Sequence, residues 1–259
     1  MAGRVAVLLL LSLSAGCGAF GGAERQTVTP VPVPEAAQDS RVEPAVSGGA
    51  VDARRLAAAH RRATRNRSYV LGMRLSLEWG TQVVSLVVED RYRYQYRTEI
   101  VGQQYTKRVY ADGDRRFVYD ERAQGAWTTT GRPAPVDEWL DPDPARLVEA
   151  YLATNVSVDR PRDGCDTCPV VLTATEPPAA FEPADDYSVR AAVRPGGLVE
   201  SLTVSYWDRS RSALVDYEIR YSAVDDTTVS RPGWVRRHWA NATDSDPALS
   251  DSHRRDAVG

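Results

Sequence analysis

Residues 51–239 predict an α+β domain built on one curved antiparallel sheet with helices on one face. Three observations carry that expectation. Apolar residues alternate with polar ones through most of this stretch, which is the period of a half-buried strand. The breaks between these segments are mostly short, which suits antiparallel neighbours, because parallel pairing needs a long crossover. One helical pattern precedes the strands and one is inserted among them, without regular alternation, so a βαβ layout is not predicted.

The first helix is expected over residues 51–67. Asp52 is placed to cap it, since its carboxylate can accept an amide N–H of the first turn. Val51, Leu56, Ala59 and Ala63 form its apolar side. Arg54, Arg55, Arg61, Arg62 and Arg65 form a basic face, read as a solvated surface, with anionic lipid headgroups as the secondary reading. The period then changes to two, and Tyr69, Leu71, Met73, Leu75, Leu77 and Trp79 share one face of a long strand. Gly80 turns the chain into a second strand at 83–89, expected to run on to residue 97 with tyrosines and basic residues on opposite faces. Residues 104–111 make a third strand, Asp112-Gly113 a hairpin turn, and residues 116–120 and 126–130 two more strands. Residues 131–143 are proline-rich and read as irregular.

A helix follows at 144–154. Asp143 caps it, and Pro144 takes the first position, where a missing N–H breaks no hydrogen bond. Further strands are expected at 170–175, 187–193, 198–207 and 214–224, with Pro195-Gly196-Gly197 joining the second to the third. Residues 227–239 read as a final extended piece. Residues 240–259 are polar and aperiodic, and are expected to be disordered.

Residues 1–16 have the layout of an export signal. Arg4 precedes an apolar run, and small residues lead to a cleavage point. The run is shorter than the ~20 residues that span a bilayer. Ala15-Gly16-Cys17 resembles the lipobox of secreted lipoproteins. That resemblance implies cleavage before Cys17, lipidation of its thiol, and anchorage at the extracytoplasmic face of the cell membrane. The pattern departs at one point: the family usually has leucine three residues before the cysteine, and here Ser14 stands there, with Leu13 one step further back. An ordinary cleaved signal is the alternative. A lone acyl chain binds membranes marginally, so stable anchoring calls for a two-chain lipid. Residues 17–50 then form a flexible Pro/Gly/Ala-rich tether. Its Thr29-Pro30-Val31-Pro32-Val33-Pro34 favours polyproline II, and a coil of this length spans roughly 30 Å on average.

Composition narrows the function classes. Basic and acidic residues number 32 and 35, which excludes a strongly basic nucleic-acid binder. Lys107 is the only lysine. Tyrosine outnumbers phenylalanine 12 to 3, which suits strands with one wet edge, or a cavity, better than a helical bundle. Cys165 and Cys168 sit in a loop marked by Pro161, Gly164 and Pro169, and are read as a candidate disulfide formed in an oxidising compartment. A redox role calls for an electropositive helix N-terminus, whereas Asp163 and Asp166 flank this pair. A zinc ribbon calls for a second pair. Asn66, Asn155 and Asn241, the only asparagines, each open an Asn-x-Ser/Thr sequon and are candidate N-glycosylation sites.

A wider resemblance rests on three stretches. Arg65-Asn66-Arg67-Ser68-Tyr69 feeds a long strand, and Arg194-Pro195-Gly196-Gly197-Leu198-Val199 precedes another. Thr227-Thr228-Val229-Ser230-Arg231-Pro232-Gly233-Trp234-Val235 lies near the end. With the lipobox and tether, these resemble a group of uncharacterised haloarchaeal lipoproteins similar in layout to the LolA/LppX-type lipoprotein carriers. The resemblance spans 51–239. It implies a half-barrel of antiparallel strands with helices covering its concave face, around an apolar cavity for acyl chains. Leu71, Met73, Leu75, Leu77, Tyr217 and Ile219 would line that cavity. The residues themselves leave open whether the space is a filled core or a hollow. The family offers no catalytic residues to carry over.

Catalytic patterns are missing from the sequence. No Gly-x-Ser-x-Gly elbow, phosphate-cradling loop or paired zinc spacing occurs. Of the histidines, His60 lies on the basic helix, His253 in the tail, and His238 beside Trp234 and Trp239 as an aromatic neighbour. The stretch Asp137-Glu138-Trp139-Leu140-Asp141-Pro142-Asp143 reads as a solvated acidic loop capping the next helix, rather than a cation site. No enzyme activity, cofactor or metal is therefore expected. The expectation is a membrane-anchored protein that binds or carries a lipid, lipidated polypeptide or other apolar ligand. The alternative is a non-catalytic structural or assembly glycoprotein of the cell envelope. Replacing Cys17→Ser should release the chain into the medium; retention of that variant in the membrane fraction, read by immunoblot, would show that Cys17 is not the anchor.

Overall fold

The computed structural model describes residues 45–47, 50–103, 105–122, 126–160, 165, 167–181 and 183–243. Strands β1 (Val46–Ser47) and β2 (Ala50–Val51) pair as a small hairpin ahead of helix α1 (Ala53–Thr64). Six strands follow: β3 (Tyr69–Leu77), β4 (Gly80–Asp90), β5 (Arg93–Val101), β6 (Tyr105–Asp112), β7 (Arg116–Asp120) and β8 (Ala126–Thr130). Helices α2 (Val136–Trp139) and α3 (Pro144–Tyr151) lead to β9 (Ser157–Asp159), β10 (Val170–Ala174), β11 (Ala184–Val193), β12 (Val199–Asp208) and β13 (Ala213–Ser222). Helix α4 (Gly233–Thr243) comes last.

Strands β3 to β13 form one open antiparallel sheet of 11 strands, in the order β8-β7-β6-β5-β4-β3-β13-β12-β11-β10-β9. The order is simple: two meanders, each of sequence neighbours, meet at a single long-range seam. There β3 pairs with β13 from Val70↔Ser222 to Ser76↔Asp216. The alternation within each strand sorts residues onto two faces. Across the seam Leu71 faces Tyr221, Met73 faces Ile219 and Leu75 faces Tyr217, so the apolar row is continuous.

Helices α1 and α3 contribute to the cluster on that face. Leu56 and Ala57 of α1, and Ala145, Val148 and Tyr151 of α3, are buried together with Leu71, Leu86, Leu202 and Ile219. The two helices run antiparallel, because Arg61 pairs with Asp143 at 2.8 Å and Arg54 with Glu149 at 3.4 Å. Helix α4 packs elsewhere. Its Val235, with Trp234 and Val229, joins Tyr110 and Phe117 in a second cluster. Tyr110 alternates with the core residues Val109 and Ala111, so that cluster lies on the opposite face of the sheet.

His60 fastens α1 to the seam. Its Nδ1 accepts the backbone N–H of Val199 at 3.2 Å, which leaves Nε2 to carry the proton toward the Tyr221 hydroxyl, also at 3.2 Å. Both ring nitrogens are thereby used in the neutral form. The β11–β12 turn also comes very close to α1. Gly197 has φ +87°, and a Cβ there would lie 2.5 Å from the Cβ of Ala59, so only glycine fits.

Several expected boundaries move. The first helix spans Ala53–Thr64 rather than 51–67, with Asp52 capping as expected by accepting the Arg55 N–H at 3.0 Å. The strand expected to run on from 83–89 to 97 is broken at Arg91–Tyr92. The Asp90 carboxylate accepts the N–H groups of Tyr92 and Arg93, which folds the chain into the β4–β5 hairpin. The irregular 131–143 contains α2, and β9 arises where no strand was expected. The extended reading of 227–239 fails from Gly233 onward. There the Pro232 carbonyl accepts the N–H groups of Val235 and Arg236 and starts α4, which runs past the expected tail boundary to Thr243. Ala45 and Val46, within the segment read as tether, are buried in the main cluster.

Burial holds the His60 pKa down to about 4 from 6.5, outweighing the attraction of Asp143. The folded value lies below the unfolded one, so this residue's contribution is present above pH 6.5 and lost as the pH falls toward 4. The shift corresponds to a loss of about 3 kcal/mol at most. Urea titrations at pH 7 and pH 4 should show that loss in the natural chain, over and above the loss in a His60→Gln variant. Equal losses in both would mean that His60 does not carry this limb.

Candidate functional site

The described structure brings the six residues expected to line a cavity into very different states. Leu71 is 0% exposed, Ile219 1%, Tyr217 3% and Met73 4%. A void wide enough for water would leave its walls accessible, so these four are packed rather than lining a hollow. This corrects the cavity expectation at those positions. Leu75 is half-buried and packs on the same cluster. The backbone of Leu77 ends β3 opposite Gly80, and its side chain lies outside the described residues.

Aromatic rings fill the space between α3 and the sheet. Tyr151 stacks on Phe181 with centroids 4.8 Å apart, and Tyr206 and Tyr217 lie 6.5 and 6.1 Å from Tyr151. Their hydroxyls find partners inside. Tyr187 donates to the Tyr151 carbonyl at 2.6 Å, and the Tyr217 hydroxyl sits 3.5 Å from Met73 Sδ. Burial raises the pKa of Tyr151, Tyr187 and Tyr217, so all three stay protonated donors. The tyrosine excess that hinted at a wet edge or a cavity is used here to build a solid interior with satisfied polar tips.

Other expected sites are scattered. Cys17 and His253 lie outside the described residues. Cys165 and Cys168 are joined as a disulfide, with Cα atoms 5.4 Å apart. Asn66 is exposed after α1. Asn155 is also exposed, but its Nδ2, the atom a glycan would bond, donates to Glu176 at 3.1 Å. Asn241 lies on α4, with its side chain outside the described residues. The acidic stretch is engaged by arginines: Asp137 and Glu138 pair with Arg91, and Asp143 caps α3 and pairs with Arg61. Among the described residues no group of three or more His, Cys, Asp or Glu could hold a metal ion. No helix among them is long and apolar enough to cross a membrane.

Sequence reasoning missed a cleft of ≈ 300 Å³ on the face opposite the main core. It lies between strands β4–β6 and the start of α4, and is lined by Ser85, Gln95, Arg97 and Arg108, with Pro232 and Trp234 from the other side. Arg97 and Arg108 are direct cross-strand partners, and Ser85 pairs with Arg97. The alternation of basic and tyrosine residues at 91–97 was the available signal. The helix that forms the second wall was not readable, because 227–239 looked extended. A second cleft, of ≈ 350 Å³, lies beside the disulfide loop and is lined by Arg62, Arg67, Thr167, Arg194 and Leu198. There Arg67 is held by Asp225 and Arg194 by Glu200.

No family model matches the sequence, and no curated protein matches it. Among solved structures, the complex of Pseudomonas aeruginosa MucA/MucB is similar at 15% identity and a TM-score of 0.34, over 71% of this chain. This chain spans 59% of that one. The crystal structure of MucB in complex with MucA(peri) is similar at 13% identity and a TM-score of 0.11, over 70% of this chain and 99% of that one. At these identities and scores neither likeness bears on the fold or function described above.

A filled interior has a measurable signature. Leu71→Ala should cost about 2–5 kcal/mol, the range for truncation in a packed core, whereas a residue lining a hollow would lose much less. Chemical denaturation of the variant reads this directly, and a cost below about 1 kcal/mol would contradict the packed interior.

Proposed function

We propose that this chain is an extracytoplasmic lipoprotein, anchored through Cys17, whose domain is a non-catalytic binding module that meets its ligand or partner on its outer surface. The observation that carries this reading is the packed interior at Leu71, Met73, Tyr217 and Ile219. A carrier of the LolA/LppX layout would hold an acyl chain where these side chains and the Tyr151–Phe181 stack now meet. With that space taken, recognition falls to the outside. This favours the assembly or structural reading over storage of a lipid. The anchor rests on the Ala15-Gly16-Cys17 motif and the signal-like residues before it.

The surface suits a binding role without chemistry. Most described arginines are tied into ion pairs or lie over aromatic rings, as Arg122 does over Tyr105 at 4.1 Å and Arg132 over Tyr92 at 5.0 Å. His60 has both ring nitrogens engaged inside the fold. If sequons are used, Asn66 is a readier acceptor than Asn155, which must first release Glu176.

Organic extraction of the purified mature chain, followed by mass spectrometry, separates the two readings. The expected result is lipid covalently bound at Cys17 and no stoichiometric free lipid. A non-covalent lipid recovered at one per chain would restore the carrier reading and defeat this one.

A further inference from the structure

We propose that the cleft between β4–β6 and the start of α4 is an oxyanion-binding site for a small solute bearing a phosphate or carboxylate group. This deepens the reading of the domain as a binding module by naming the ligand chemistry of one part of its outer surface. Three observations converge on the cleft.

Arg97 and Arg108 stand directly opposite each other across β5 and β6, on the face away from the main core. Like charges in that position destabilise a sheet. Arg97 is balanced by Glu99 at 2.6 Å. Arg108 has no carboxylate partner among the described residues; its guanidinium carbon lies 6.0 Å from the Tyr119 ring centre. Its Nε is buried and has no hydrogen-bond partner. A desolvated, unpaired donor on a cation is costly, and the Tyr119 ring at that distance offsets only part of the charge. An anion placed between the two guanidinium groups would offset their like-charge repulsion, bonding the terminal nitrogens rather than the buried Nε.

The second wall adds to the same charge. Gly233, the first residue of α4, lies between Pro232 and Trp234, which line the cleft. A Cβ built on it would lie 3.4 Å from Arg237 Nη1 and 3.7 Å from Arg236 Nη2. Two more guanidinium groups therefore lie beside Gly233, outside the lining of the cleft itself, at a helix start whose backbone N–H groups favour negative charge. Arginine forks match phosphate and carboxylate oxygens geometrically. Ser85 supplies a hydroxyl at the floor, and Trp234 and Val87 supply apolar wall for the body of the solute. The volume of ≈ 300 Å³ fits a small solute rather than a polymer segment.

Isothermal titration calorimetry of the full-length Cys17→Ser chain tests this, with inorganic phosphate in one arm and citrate in the other, at constant ionic strength with chloride as reference. Binding is expected in at least one arm with a Kd near or below about 1 mM, and the arm that binds identifies the oxyanion. Arg108→Leu should weaken that binding at least tenfold. Arg62→Leu, remote on α1, should leave it unchanged. In the absence of anion, Arg108→Leu should unfold at the same temperature as the parent or higher, because it removes the like-charge pair and the unpaired Nε; a purely structural arginine would show the reverse. Two results would overturn the proposal: no heat above chloride in either arm, or an Arg108→Leu chain that is less stable yet binds the anion as before. Should Arg108→Leu not fold, Arg97→Gln reads the same loss of affinity. The lipid-extraction result is independent of this titration, so the two readings fail separately.

Discussion

The pairing of β3 with β13 is the constraint on which the rest of the structure depends. Each half of the sheet is a meander of neighbouring strands, and such hairpins form locally. The seam is the one strand pairing that joins the halves, and its register decides whether two apolar rows become one. Leu71 opposite Tyr221 and Met73 opposite Ile219 make the row continuous; a one-residue slip would turn one half's apolar side to water. Helix α1 guards that register. His60 touches Tyr221 of β13 and Val199 of β12, and Gly197 lets the β11–β12 turn close on Ala59.

Much of this was legible in the sequence, and the reasons are physical. Period-two segments reported strands, with 116–120 and 126–130 matching their observed limits. Asp52 and Asp143 announced their helices because a carboxylate ahead of an apolar stripe has few other uses there. The β4–β5 break was hidden, since Tyr92, Tyr94 and Tyr96 keep alternating across it, and the turn is made by the side chain of Asp90 rather than by glycine or proline. Helix α4 was hidden because Trp234 and Val235 are too few to show a helical period, and Pro232 reads equally well as an extended residue or a helix start. The seam itself was not readable, because nothing local encodes a partner some 150 residues away.

The distribution of polar groups separates what the fold needs from what it leaves over. Tyrosine hydroxyls inside the main cluster are matched to the Tyr151 carbonyl, to Met73 and to His60. Arginines outside it are matched to carboxylates or aromatic rings. Arg108 differs in standing directly across from another arginine, Arg97, with no carboxylate partner of its own among the described residues, and that was a cross-strand fact rather than a sequence motif. The acyl-chain hollow implied by the family layout, by contrast, depended on the width between helix and sheet. Sequence reports which face is apolar, not how far away the covering helix lies; here α3 brings Tyr151 onto the sheet and closes the gap.

The two-meander order also dictates an order of birth. A ribosome releases β3 through β8 well before β13 exists. Until the last strand emerges, one side of β3 therefore presents a nine-residue row of unpaired backbone groups beside Leu71 and Met73. Such an open edge is a template for the wrong partner, including another nascent copy. The finished sheet ends instead on β8 and β9, only five and three residues long. The longest strands are placed where the mature protein hides their edges, so the hazard is confined to the interval before the chain is complete.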